Sequence, residues 1–287
     1  MPKADIDYVF PETVAEAVRL KQQAGAGGRF IAGGTDLMLM IEQQMVDPRA
    51  LIDLTHIPEL HHLEMVDDRV HIGSAVTYRQ LLDHPEFCAA LPFLAKAIRT
   101  IGGVQIRNVA TLAGNIANAS PAGDTLPCLY VLGATVHVAG PDGITADIPI
   151  EEFILGVRQV ALRPAQLITH ISFPLPGSCW VGAFGKLGLR HAMAIAVASV
   201  AVLLQWNGQL VVNARIALGS VAPTVIRAPE AEAALAGRPL HEEQIEEAAR
   251  QAMAAAHPID DVRASARYRQ LVSGGLVRKA LRACRAD

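Results

Sequence analysis

Arg29-Phe30-Ile31-Ala32-Gly33-Gly34-Thr35-Asp36-Leu37 reads as a short strand, a glycine turn and the start of a helix carrying Leu37, Met38, Met40 and Ile41. Thr35 or Asp36 is placed to cap that helix. A second small-residue turn, Thr111-Leu112-Ala113-Gly114-Asn115, lies far down the chain. Both turns have the composition that lets backbone N–H groups approach an anion, because glycine removes the Cβ and a flanking Thr or Asn adds hydrogen bonds of its own. Two such turns can clamp one pyrophosphate; the alternative for each alone is an ordinary glycine turn. Familiar nucleotide patterns are missing: Gly25-Ala26-Gly27-Gly28-Arg29-Phe30 lacks the third glycine of GxGxxG, and there is no GxxxxGK(S/T).

Around the turns, apolar spacing predicts a helix over 9–24, strands over 50–54 and 70–74, and helices over 78–83 and 91–100. Residues 101–127, rich in Gly, Asn, Ser and Pro, read as an ordered functional loop. A helix over 126–132, a strand over 135–138 and the turn Gly140-Pro141-Asp142-Gly143 follow. The segment 166–173 alternates like a strand and ends at Pro174-Leu175-Pro176-Gly177, the expected domain boundary. Beyond it, strands over 196–206 and 210–218 meet at Asn207-Gly208, a strong hairpin signal. Alanine-rich helices over 228–235, 242–256 and 264–282 complete the chain, with Gly274-Gly275 placed to break the last.

A chain of 287 residues accommodates two domains at roughly 150 residues each. With 25 basic against 28 acidic side chains the formal charge is −3, which argues against a nucleic-acid partner. Charged residues make up 18%, below the roughly 25% of an average soluble domain, so part of the surface is expected to lie under partner subunits; alanine bias is the alternative. The longest apolar run, 192–204, is too short for the roughly 20 residues of a membrane span. Met1-Pro2-Lys3-Ala4-Asp5-Ile6-Asp7 has no apolar signal core, so the expected location is the cytoplasm. Cys88, Cys128, Cys179 and Cys284 form no CxxC pair, and His56, His61, His62 and His71 fit no metal spacing; surface or strand-end positions account for the histidines.

Further segments surround the second turn: Gln105-Ile106-Arg107-Asn108 before it and Ile116-Ala117-Asn118-Ala119-Ser120-Pro121-Ala122-Gly123-Asp124 after it. Ala214-Arg215-Ile216-Ala217-Leu218-Gly219-Ser220-Val221-Ala222-Pro223-Thr224 follows, then Arg227-Ala228-Pro229-Glu230-Ala231-Glu232. With these motifs in this order, the sequence resembles, over nearly its whole length, the FAD-binding medium subunit of the xanthine dehydrogenase and carbon monoxide dehydrogenase type of molybdenum hydroxylases. The resemblance implies an α+β fold: a bipartite FAD-binding domain of the vanillyl-alcohol oxidase (PCMH) type over 1–176, in two subdomains split near 55, then a smaller C-terminal α+β domain with antiparallel strands over 177–287.

By the same resemblance, Ala32, Gly33, Gly34, Thr35, Asp36 and Leu37 form one pyrophosphate loop, and Thr111, Ala113, Gly114 and Asn115 the other. Ile101 packs near the flavin nucleotide, Asp124 hydrogen-bonds the cofactor, and Leu167 or Ile168 supplies a backbone contact. Lys186 lies near the isoalloxazine, where a positive charge favours the anionic reduced flavin. Arg107 either faces the cofactor or supports its loop, Asp124 either contacts the cofactor or caps the next helix, and Lys186 is either a flavin neighbour or a solvated strand residue. Ala113 replaces a common glycine, and 188–193 lacks the aromatic that shields the flavin in some carbon monoxide dehydrogenases. The absence of a cysteine-bearing insertion argues against the hydroxybenzoyl-coenzyme A reductase branch.

The function implied is electron transfer through FAD, with no catalytic acid or base and no metal on this chain. The molybdenum cofactor is expected on a large partner subunit and two 2Fe-2S clusters on a small one, in a dimer of heterotrimers. Electrons pass to NAD+, oxygen or another acceptor. Two rival readings are an autonomous FAD-dependent oxidase and a cofactor-free scaffold subunit.

Overall fold

The computed structural model describes residues 6–190 and 193–285. The first five residues, part of the stretch read for lack of a signal core, and His191-Ala192, within the stretch read for the missing aromatic, lie outside the described residues.

The chain opens with a three-stranded parallel sheet in which Ala50–Asp53 lies between Asp7–Val9 and Gly28–Ile31. The helix expected from residue 9 is Val14–Ala24. Val9 instead pairs with Ile52, and Thr13, whose side chain accepts from the Glu16 amide, caps the helix after Pro11.

A five-stranded antiparallel sheet follows, in the order Leu63–Val66, Arg69–Gly73, Leu167–Pro174, Thr135–Ala139, Thr145–Pro149. Helices Tyr78–Asp83, Pro92–Arg99 and Leu126–Leu132 share its core, and every residue of Leu126–Leu132 is buried. The expected loop over 101–127 contains two short helices, Val104–Val109 and Leu112–Asn118. Their β-branched residues, Asn and Gly carry little intrinsic helical preference; in the second, burial of Leu112 and Ile116 supplies what propensity does not.

The third sheet is antiparallel, running Trp180–Gly188, Ala196–Asn207, Leu210–Gly219 and Ile226–Arg227. Trp180–Gly188, with its three glycines, gives no clear strand signal and is missed from sequence. Asn207 pairs with Leu210, so the hairpin loop is Gly208-Gln209, with Gly208 at φ 59° taking the left-handed position.

Ala196–Asn207 is buried continuously through Leu204 because both faces are covered. Ala201 and Leu203 join the core of the preceding sheet, whereas Ala198, Val200, Val202 and Leu204 join the core beneath helices Glu242–Ala255 and Ala266–Ala283. Gly274-Gly275 does not break the last helix: a Cβ on Gly274 would collide with Met253, so glycine serves the close helix approach. On the neighbouring strand Phe184 belongs to the same core as Ala201, and Lys186, two residues on, shares its face.

Candidate functional site

The two small-residue turns meet. A Cβ on Gly33 would run into the Val109 carbonyl and the Ala110 amide, so the first turn rests directly on the backbone that enters the second. Gly34 has φ 66°, which glycine adopts without strain. The second turn is held from the other side by the Tyr78 amide donating to the Ala110 carbonyl at 2.9 Å. Thr111 caps helix Leu112–Asn118 by accepting from the Gly114 amide at 2.9 Å. Both turns therefore end in helix starts, whose leading amides have no partner within the helix.

Asp36 stands at the cap position of helix Leu37–Glu42, yet its side chain makes no capping bond. Its Oδ1 instead accepts from the Asn118 side-chain amide at 3.0 Å, tying the first turn to the end of the second turn's helix. Burial raises the Asp36 pKa.

Asp124 and Lys186 form a second centre. Lys186 Nζ donates to Asp124 Oδ2 at 2.5 Å and to the Thr100 carbonyl at 3.3 Å, and the Thr100 hydroxyl donates to the same Oδ2 at 3.2 Å. Their side chains are 9% and 7% exposed, which excludes a solvated lysine. Thr125, rather than Asp124, occupies the cap position of helix Leu126–Leu132, so Asp124 is not its N-cap. Burial raises the Asp124 pKa, and the lysine opposes that rise. The Thr125 hydroxyl donates to Asn115 Oδ1 at 2.8 Å, joining this centre to the second turn.

The remaining expected residues fall into two groups. Ile101 lies at the site's edge, its carbonyl accepting from Arg107 at 2.8 Å. The same Nη1 also reaches the Gly102 and Arg99 carbonyls, so Arg107 braces its loop through one nitrogen of the guanidinium. Ile168, expected to act through its backbone, has its side chain buried in the sheet core beside a register shift, on the strand that helix Leu112–Asn118 packs against.

Sequence reasoning missed Asn118, Thr100 and Thr125 as linking residues, and also Tyr78, which is fully buried with its hydroxyl unpaired beside Thr125. Nothing local distinguishes them, since their partners lie elsewhere in the chain. The histidine reading is also incomplete: His62 and His71 converge with His137 and His170 on the antiparallel sheet, His137 and His170 stacking at 3.9 Å. Among the described residues no group of three or more His, Cys, Asp or Glu is arranged to hold a metal ion.

These residues fit a dinucleotide cofactor. Asp124 Oδ1 is buried and has no hydrogen-bond partner, an atom left for a donor that the chain does not supply. The paired turns, each leading into a helix start, have the small residues and close backbone approach that a diphosphate needs.

Comparison with known proteins agrees with this geometry. Residues 4–176 match the FAD binding domain in molybdopterin dehydrogenase, and residues 183–284 match the CO dehydrogenase flavoprotein C-terminal domain. The carbon monoxide dehydrogenase medium chain of Hydrogenophaga pseudoflava is 33% identical over 279 residues, covering 96% of each chain. The nicotine 6-hydroxylase medium subunit of Paenarthrobacter nicotinovorans is 30% identical over 276 residues, again 96% of each. Among solved structures, carbon monoxide dehydrogenase from Hydrogenophaga pseudoflava lacking the Mo-pyranopterin moiety of its molybdenum cofactor superimposes with a TM-score of 0.94 at 34% identity, over 99% of this chain and 98% of that one. Two joined turns, a buried carboxylate awaiting a donor, and family matches that together span nearly the whole sequence lead to one conclusion: the chain belongs to the FAD-binding medium-subunit family of the molybdenum hydroxylases.

Proposed function

We propose that this chain is the electron-transfer subunit of a heteromeric molybdenum hydroxylase, taking electrons from 2Fe-2S clusters on a small partner and passing them to NAD+, oxygen or another carrier. The observation that carries the reading is the contact of Gly33 with the Val109–Ala110 backbone, which makes one anion site from two distant turns. Residues 1–176, in two subdomains meeting near residue 55, hold the cofactor, and 177–287 form the C-terminal domain. The substrate-oxidising molybdenum cofactor belongs to a large subunit, in a cytoplasmic dimer of heterotrimers. Medium chains of carbon monoxide dehydrogenase and nicotine 6-hydroxylase support this organisation through their similarity along the full chain.

When bound, FAD supplies uptake of two electrons in single steps, matching the one-electron 2Fe-2S donors, and one- or two-electron release. The chain's own residues position it. Ala32 to Leu37 and Thr111 to Asn115 hold the diphosphate, Ile101 packs against the nucleotide, Ile168 offers backbone, and Asp124 accepts a hydrogen bond at its unpaired oxygen. Lys186 does not act as a lone cation: Asp124 balances its charge, so the pair sets the local field. No acid or base for substrate chemistry is required here, because the organic substrate binds on another subunit.

The test is purification of the chain alone and with its partners. A yellow chain whose FAD is released on denaturation, and which alone fails to oxidise organic substrates, supports the proposal. Substrate oxidation by the isolated chain would favour an autonomous oxidase, and a protein that cannot be reconstituted with FAD would be a scaffold.

A further inference from the structure

The site gathers two carboxylates, Asp36 and Asp124, and the FAD reading on which this inference rests adds a diphosphate with negative charge on each phosphate. Several nearby cations are already engaged. Lys186 is bonded to Asp124, Arg107 gives its Nη1 to the carbonyls of Arg99, Ile101 and Gly102, and Arg190 donates to the Met193 carbonyl, so each is held by oxygen acceptors of this chain. Arg158 is different. It sits at the tip of the two-stranded hairpin formed by Ile154–Gly156 and Gln159–Val160, and its side-chain hydrogen bond among the described residues goes to the Met45 thioether at 3.6 Å, a weak acceptor. Most of a guanidinium's five donors are therefore uncommitted.

The backbone places Arg158 deliberately. Its φ of 57° lies in the left-handed region that non-glycine residues rarely adopt. Its N–H donates at 3.1 Å to the carbonyl of Ala119, the left-handed residue that ends helix Leu112–Asn118. The hairpin tip is thus bolted to the second turn's helix, while the side chain crosses to Met45, just beyond the first turn's helix Leu37–Glu42. Asp36 responds to it: burial raises that carboxyl's pKa, and the Arg158 charge draws it back down.

We propose that Arg158 is a cofactor-binding residue, whose guanidinium supplies the positive charge that Asp36 and the FAD diphosphate together require. A planar fork of donors suits phosphate oxygens, which a lysine point charge matches less well.

The experiment uses the full-length chain stripped of FAD and titrated with FAD by flavin fluorescence at low and high salt, in wild type, R158Q and R158K, with apoprotein melting followed in parallel. The expected result is a Kd raised about tenfold in R158Q at low salt, a smaller rise at high salt, and an intermediate Kd in R158K. Apoprotein melting stays unchanged, because the side chain is exposed. Wild-type affinity in R158Q at low salt overturns the proposal while leaving the FAD reading intact. Wild-type protein that binds no FAD overturns both.

Discussion

Asn118 donates a side-chain hydrogen bond to Asp36 across 82 residues of sequence, at 3.0 Å. The bond locks the first turn to the far end of the helix that the second turn begins, so neither turn moves alone. A hydrogen bond to a charged group contributes about 1.5–3 kcal/mol. Asn118→Ala is expected to weaken FAD binding about tenfold or more, measured by fluorescence titration. Unchanged affinity would mean that the Gly33 contact alone holds the turns together.

Gly33 and Gly114 separate two meanings of a glycine turn. Gly33 is closed by backbone, so Gly33→Ala disrupts the docking of the turns and lowers the apoprotein melting temperature. Gly114 faces only the Thr111 hydroxyl, 3.1 Å from a built Cβ, and it lies inside a helix, where alanine is favoured by up to about 1 kcal/mol. The crowding of the Thr111 cap offsets that preference, so Gly114→Ala is expected to melt close to the wild-type temperature while losing FAD. A normal flavin content in purified Gly114→Ala would remove the close approach of backbone to cofactor at this turn.

Lys186→Met leaves Asp124 buried without its counterion, which costs about 3–5 kcal/mol; Lys186→Met with Asp124→Leu recovers much of that loss. The sign of the pH dependence follows from burial. The Asp124 pKa is already raised in the fold, so its folded form binds a proton more readily than the unfolded chain does. Losing the lysine raises it further, and the single variant regains stability as the pH falls through the folded pKa. Urea unfolding at a series of pH values reads this directly, and a loss that is equal at every pH would show that the pair does not control the carboxylate.

His170 predicts an opposite slope at mildly acidic pH. Burial, reinforced by His137, His62 and His71, lowers its pKa from 6.5 to about 4, with Asp147 opposing. Between those values the unfolded chain binds the proton and the folded chain does not, so stability falls as pH drops from about 6.5 toward 4. His170→Gln should flatten that part of the curve of melting temperature against pH. A curve that superimposes on wild type would place the acid sensitivity elsewhere.

Much of the fold was legible. Helices Tyr78–Asp83 and Leu126–Leu132 have apolar spacing and clean ends, and the predicted bounds match those observed. Trp180–Gly188 was not legible, since its glycines erase the alternation and its identity depends on pairing with Ala196–Asn207. Residues 101–127 hid two helices of poor intrinsic formers: Leu112–Asn118 is helical because Leu112 and Ile116 have a core to enter, whereas Val104–Val109 buries no residue and gives no apolar periodicity to read.

By itself the sequence determined the composition of each turn, the hairpin at Gly208 and the apolar run that becomes the strand Ala196–Asn207, because these follow from local sterics and periodicity. Tertiary structure alone decided that Asp36 would meet Asn118, that Lys186 would be balanced by Asp124 rather than solvated, and that Arg107 would brace a loop while Arg158 kept its donors uncommitted. Burial and hydrogen-bond partnership between distant segments have no period in the chain; they exist only once the segments are packed.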